Sequence, residues 1–100
     1  MDNVTVAHNT NRQRYEISVD GEAIGLSRYR DDNGRRVFLH TEVDPRFQGH
    51  GLATQLIRWA LDDTRAAGLR IVAVCPMVAA FVTKHRDFDD IVDRTDVPPA

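Results

Sequence analysis

Across Arg46-Phe47-Gln48-Gly49-His50-Gly51-Leu52-Ala53 the polarity pattern of the chain changes period, from two-residue alternation to helical recurrence. Downstream, Leu52, Ala53, Leu56, Ile57, Ala60, Leu61, Thr64 and Ala67 gather on one side of a helical wheel. Arg58, Asp62 and Arg65 fall opposite, with Trp59 at the edge of the stripe. Gly68 is a natural helix stop. Upstream, residues 4–7 and Arg14–Val19 alternate as half-buried strands do, and Asp20-Gly21 is a two-residue turn that joins antiparallel strands. Residues 22–30 read as a third strand, Asp31-Asp32-Asn33-Gly34 as a second turn, and Arg35–Val43 as a fourth strand. The first half is therefore an antiparallel meander.

Beyond the helix, residues 69–74 form a short valine-containing run of the kind that makes a buried strand. Pro76 opens a second helix, in which Val78, Phe81, Val82 and His85 share a face. The order β-β-β-β-α-β-α predicts an α/β (α+β) fold: a meander of about four strands, a β-α-β crossover and a C-terminal helix. Such a crossover is right-handed and joins parallel strands, so strand 35–43 and strand 69–74 end at the same edge of the sheet. Open α/β sheets bind ligands in the crevice beyond those ends. One domain is expected over residues 1–100, with a fraying tail from residue 92 that includes Pro98-Pro99.

A formal charge of -2, mixed in sign, gives no basic footprint for a phosphate backbone, which argues against a nucleic-acid partner. No apolar run approaches the roughly 18 residues of a membrane helix. The start Met1-Asp2-Asn3-Val4 lacks the pattern of a signal peptide, and the single cysteine, Cys75, allows no intrachain disulfide. A cytoplasmic setting is the expectation. The four histidines and one cysteine lack zinc-ligand spacing, so no metal is expected.

In the 46–53 segment, glycines two apart at a helix start let the backbone approach a ligand closely. First-turn N–H groups and the helix dipole suit an anion such as a pyrophosphate, and Arg46 adds a positive charge nearby. By spacing alone, a plain glycine-rich turn reads equally well. No Gly-Lys-Ser/Thr follows, and the dinucleotide fingerprint Gly-x-Gly-x-x-Gly is absent.

Arg46-x-x-Gly49-x-Gly51 matches the Arg/Gln-x-x-Gly-x-Gly/Ala signature of the GNAT acetyltransferases, between a long strand and a helix as in that family. With His40-Thr41-Glu42-Val43, Cys75-Pro76, Lys84-His85 and Phe88-Asp89-Asp90, the chain resembles a compact GNAT-like subfamily over roughly residues 14–92. The resemblance implies acetyl-CoA (coenzyme A) as co-substrate. Backbone amides of Gln48, Gly49, His50, Gly51, Leu52 and Ala53 would hold its pyrophosphate, beside Arg46 and Phe47. The backbone near Val43 would pair with the pantetheine arm where the parallel strands part. Typical members carry substrate-covering helices where this chain has only residues 8–13, closing strands after the last helix, and a tyrosine acid after the last core strand. Tyr15 and Tyr29 lie too early to serve as that acid.

Acetyl transfer to an amine needs an uncharged nucleophile, a donor for developing charge and a proton for the departing thiolate. Cys75 ends the buried strand just before the Pro76 helix, where a thiol gains thiolate character, and is the candidate proton donor or, alternatively, an acetyl acceptor. Its plain alternative is a small buried filler. His40 and Glu42, two apart on one strand face, are the candidate base, or simply a half-exposed pair. Lys84 is a candidate for an adenosine phosphate, His85 reads as a structural histidine, and His50 faces solvent or phosphate. The expected function is an acetyl-CoA-dependent N-acetyltransferase acting on a primary amine, possibly a protein lysine or chain terminus. A non-catalytic coenzyme A-binding or protein-interaction module is the alternative, and a plain structural domain the third reading. The amine itself and the oligomeric state are not encoded legibly.

Overall fold

The computed structural model describes residues 3–93. Five strands form one sheet in sequential order: β1 (Val4–Asn9), β2 (Arg14–Val19), β3 (Glu22–Asp32), β4 (Arg35–Val43) and β5 (Arg70–Ala73). The first four are antiparallel neighbours, and β4 pairs with β5 in parallel. The hairpins close because Asp20-Gly21 and Asn33-Gly34 all take positive φ, the geometry whose twist matches that of the strands they join. Helix α1 (Leu52–Ala66) provides the crossover, and α2 (Pro76–Lys84) follows β5.

The helical stripe of α1 packs as its spacing predicts. Leu52, Leu56, Ile57, Ala60, Leu61 and Thr64 are buried, whereas Ala67 lies past the last turn and is exposed. Tyr15, Ile17, Phe38 and Ile71 meet them from the sheet, and Val78, Phe81 and Val82 from α2. Each buried Leu, Ile, Val or Phe among them contributes about 1.5–3 kcal/mol by leaving water. A Schellman closure ends α1: Gly68, at φ 74°, donates to Arg65 and Leu69 donates to Thr64.

Two irregularities shape the sheet. The β2–β3 register slips at Ile24, and the β3–β4 register slips at Leu39, each leaving one residue without an opposite number. The β4–β5 ladder covers only Arg35 to Phe38 of β4. The Phe38 carbonyl then accepts both Val74 N–H (3.1 Å) and Cys75 N–H (2.8 Å), and β4 runs on alone on that side through residues 39–43.

Residues 92 and 93, counted with the tail from sequence, are tied down. Val92 bridges Ile71 in parallel, Asp93 N–H donates to the Ile71 carbonyl at 2.8 Å, and Arg70 reaches the Asp93 carboxylate at 2.7 Å. The remainder of the expected tail lies outside the described residues. His8, expected in the loop between the first strands, belongs to β1.

That histidine anchors a polar cluster between the sheet and the C-terminal half of α1. His8 Nδ1 lies 3.1 Å from Asp63 Oδ2, and Nε2 lies 2.6 Å from the Tyr29 hydroxyl, so a neutral ring protonated at Nδ1 satisfies both. Tyr15 donates to Asp63 at 2.8 Å and accepts from Arg36 at 2.7 Å. Arg36, itself buried, grips Asp31 with two bonds of 2.8 Å and lies over the Tyr29 ring. Burial and the Asp63 carboxylate push the Tyr15 hydroxyl well above its ordinary range.

Candidate functional site

The segment leaving β4 is built as a rigid lead-in to α1. Asp44 caps a 3-10 turn (Pro45–Phe47) by accepting from Arg46 N–H at 2.9 Å. Gly49 (φ 83°) and Gly51 (φ 74°) then take the left-handed conformation that side chains resist, and a Cβ at either would meet nothing within 4 Å. Space does not demand these glycines; backbone direction does.

Gly51 is the N-cap of α1 and offers no capping side chain. Consequently the N–H groups of Gly49, Gly51, Leu52, Ala53 and Thr54 find no acceptor of hydrogen-bond geometry among the described residues. Most helices satisfy such donors with a Ser, Thr, Asp or Asn side chain. Here they border a cavity of about 430 Å³ whose walls include Val43, Phe47, Gln48, Leu52 and Met77. Concentrated donors at a positive helix end match the oxygens of a diphosphate. The unpaired edge of β4 at residues 39–43 provides further backbone groups beside it. A donor row, a free strand edge and an apolar wall fit a chain-like ligand with an anionic end.

Arg46 differs from its expected part. Its guanidinium, 63% exposed, is engaged by Asp44 at 2.8 Å and Glu22 at 2.9 Å, so it fastens the loop to the β2–β3 turn. The same contact holds the Asp44 carboxyl below its ordinary range. His50 is exposed and lines no wall of the cavity. Next to it, sharing Ala53, Thr54 and Met77, is a groove of about 250 Å³ that ends at Lys84 and His85. His85 stacks at a tilt on Phe81, 4.4 Å between ring centres, and is half-buried.

The three residues expected to do chemistry divide between the two faces of β4. His40 Nε2 and Glu42 Oε1 lie 3.5 Å apart on the open face, 56% and 60% exposed. Glu42 there borders a groove of about 400 Å³ with Arg14, Glu16, Leu26 and Asp44. Cys75 lies on the helix side, 2% exposed, and its thiol donates to Thr41 Oγ1 at 3.4 Å. Sequence reading missed Thr41, Ser27, Thr54 and Met77. For Thr41 the signal was present: a residue between two that face outward must face inward. Among the described residues no group of three or more His, Cys, Asp or Glu side chains is placed to hold a metal ion.

The family model described as GCN5-related N-acetyl-transferase matches residues 14–91. No curated protein matches the chain. Among solved structures, a GCN5-like protein from Staphylococcus aureus superposes with a TM-score of 0.72 at 21% identity, covering 96% of this chain and 94% of its own. A ribosomal-protein-alanine N-acetyltransferase from Brucella melitensis biovar Abortus 2308 gives 0.59 at 21% identity, covering 87% and 67%. A Trypanosoma brucei acetyltransferase gives 0.54 at 20% identity, covering 91% and 69%. These likenesses establish the fold.

Proposed function

The chain belongs to the GCN5-related N-acetyltransferases, and on that premise we propose that it moves an acetyl group from acetyl-coenzyme A to a primary amine. The observation that carries this reading is the row of unpaired N–H donors from Gly49 to Thr54, opening on a cavity beside a strand edge that β5 leaves free. The thioester of the co-substrate supplies the activated acetyl group.

The chain's own residues take the remaining tasks. The backbone of residues 49–54 holds the diphosphate, without the expected Gln48 N–H, which already donates to the Pro45 carbonyl at 3.3 Å, and the β4 edge near Val43 receives the amide-bearing arm. Phe47 and Leu52 line the apolar side. Lys84, at the end of the adjoining groove, meets the nucleotide phosphate. Arg46 acts by locking the loop through Asp44 and Glu22. Cys75 supplies the proton that the departing sulfur needs. On the open face, Glu42 with His40 withdraws a proton from the incoming ammonium. Around that groove Glu16 is held by Arg14 at 2.7 Å and Asp44 by Arg46 at 2.8 Å, so Glu42 is the carboxylate that favours a cationic acceptor such as a lysine or a chain terminus.

Calorimetry with acetyl-CoA, followed by coenzyme A release across a panel of primary amines and lysine peptides, tests the reading. Heat with acetyl-CoA and release with at least one amine are expected. Absence of heat removes the co-substrate assignment, and binding without release anywhere in the panel removes the amine.

A further inference from the structure

Three hydroxyl and thiol groups line up beneath β4 where it outruns β5. Ser27 on β3 faces Thr41 across the ladder, their oxygens 2.9 Å apart, and the Cys75 thiol reaches Thr41 from the start of α2 at 3.4 Å. All three are almost wholly buried, at 0%, 6% and 2% exposure. The Cys75–Thr41 contact therefore spans the interval between the diverging strands, and no water is needed to complete it.

We propose that Thr41, backed by Ser27, is a positioning residue that follows the charge of Cys75, accepting from the thiol and donating to the thiolate. This rests on the part assigned to Cys75 above. A hydroxyl is both donor and acceptor, and a rotation about its C–O bond exchanges the two roles. While Cys75 is a thiol, its S–H points at Thr41 Oγ1 and the Thr41 O–H points at Ser27. During transfer the amine nitrogen bonds to the acetyl carbon, and the carbon–sulfur bond breaks with its electron pair on the coenzyme sulfur. The Cys75 proton moves to that sulfur. The Thr41 O–H then turns to the Cys75 thiolate, and the Ser27 O–H turns to Thr41. No O–H bond breaks. The proton shed by the acylated nitrogen restores the thiol, so the chain ends as it began. Without Thr41 the thiolate would lose its hydroxyl donor and be left with the first-turn N–H end of α2 alone, a costlier state.

The single cysteine makes the test direct, because the protein has one S–H stretching band. In Thr41→Val that band shifts to higher frequency as the free thiol loses its acceptor, whereas Thr41→Ser retains the bonded position. The expected kinetic counterpart is kcat lowered about tenfold in Thr41→Val, as fits loss of one bond to a charged group, with KM for acetyl-CoA within about twofold and recovery in Thr41→Ser. Since Thr41→Val strands the Ser27 hydroxyl, the double variant Ser27→Ala/Thr41→Val, which removes both partners, is measured alongside and shows the same band and kcat. An unmoved band, an unchanged kcat in Thr41→Val, or equal losses in the Ser and Val variants would overturn the proposal. Cys75→Ala, which has no S–H band, separates the two readings: full activity there ends the part given to Cys75, while the band in the Cys75-containing proteins still reports the thiol–Thr41 bond.

Discussion

The two ends of the sheet treat their polar groups in opposite ways. Around His8, Tyr15, Tyr29, Arg36 and Asp63 each side chain is matched to another, and among the described residues no buried side-chain nitrogen or oxygen lacks a partner. At the other end, where β4 stops and α1 starts, consecutive main-chain donors find no acceptor among the described residues. The first end joins β1, β2, β3 and β4 to α1 and contributes to stability. The second leaves its hydrogen-bonding capacity for a ligand. A domain of this size has one small core, so the stapling at one end compensates for what the other end leaves unmade.

The strongest way to break this division is at Arg36. Arg36→Met leaves Asp31 and the Tyr15 oxygen without their donor and is expected to lower unfolding free energy by about 3 kcal/mol, read from urea denaturation. Acetyl-CoA affinity below the transition should change less than about twofold, because the two sites share no partner. A matched loss of affinity would show that the ends are not independent.

Gly49→Glu probes the opposite end. A carboxylate among the unpaired donors, on a backbone that requires φ 83°, is expected to weaken acetyl-CoA about a hundredfold by calorimetry, roughly 2.7 kcal/mol. The stability cost should be near 1 kcal/mol, that of a left-handed non-glycine residue. Unchanged affinity would remove the diphosphate from this loop.

The gentlest probe is pH. Burial, opposed by the Asp63 carboxylate and reinforced by Arg36, sets the His8 ring below its ordinary 6.5. The folded protein thus holds fewer protons at His8 than the unfolded chain. This contribution is complete above 6.5 and fades as pH falls from there toward the lowered value. Urea midpoints at pH 7.5 and 5.5 should therefore differ in the parent protein and converge in His8→Gln. At still lower pH, protonation of Asp31, which Arg36 holds below the usual carboxylate range, removes a second contribution.

How much of this could be read from the residues alone divides along the same line. The ligand end is local: strand, glycine pair and helix lie within residues 35–66, and period and turn chemistry expose them. The crossover then follows from handedness, and Cys75 beside Pro76 from position. The polar cluster was invisible because its members are far apart in sequence, His8 from Asp63 above all, and alternation says only that a residue faces inward, not whom it meets. Tyr15 and Tyr29 were weighed for chemistry and set aside without a role; the structure gives them one in packing. The Glu22 partner of Arg46 escaped for the same reason, since it approaches through a hairpin whose slip at Ile24 no spacing announces.

The doubly engaged carbonyl of Phe38 has one more implication. That shared oxygen marks the last rung: the chain turns there into α2, and Pro76 has no N–H with which to continue the ladder. The slot beyond is thus formed without a ligand. An arriving extended molecule need not prise strands apart, and its association should proceed in one kinetic step, without a slow opening phase before it.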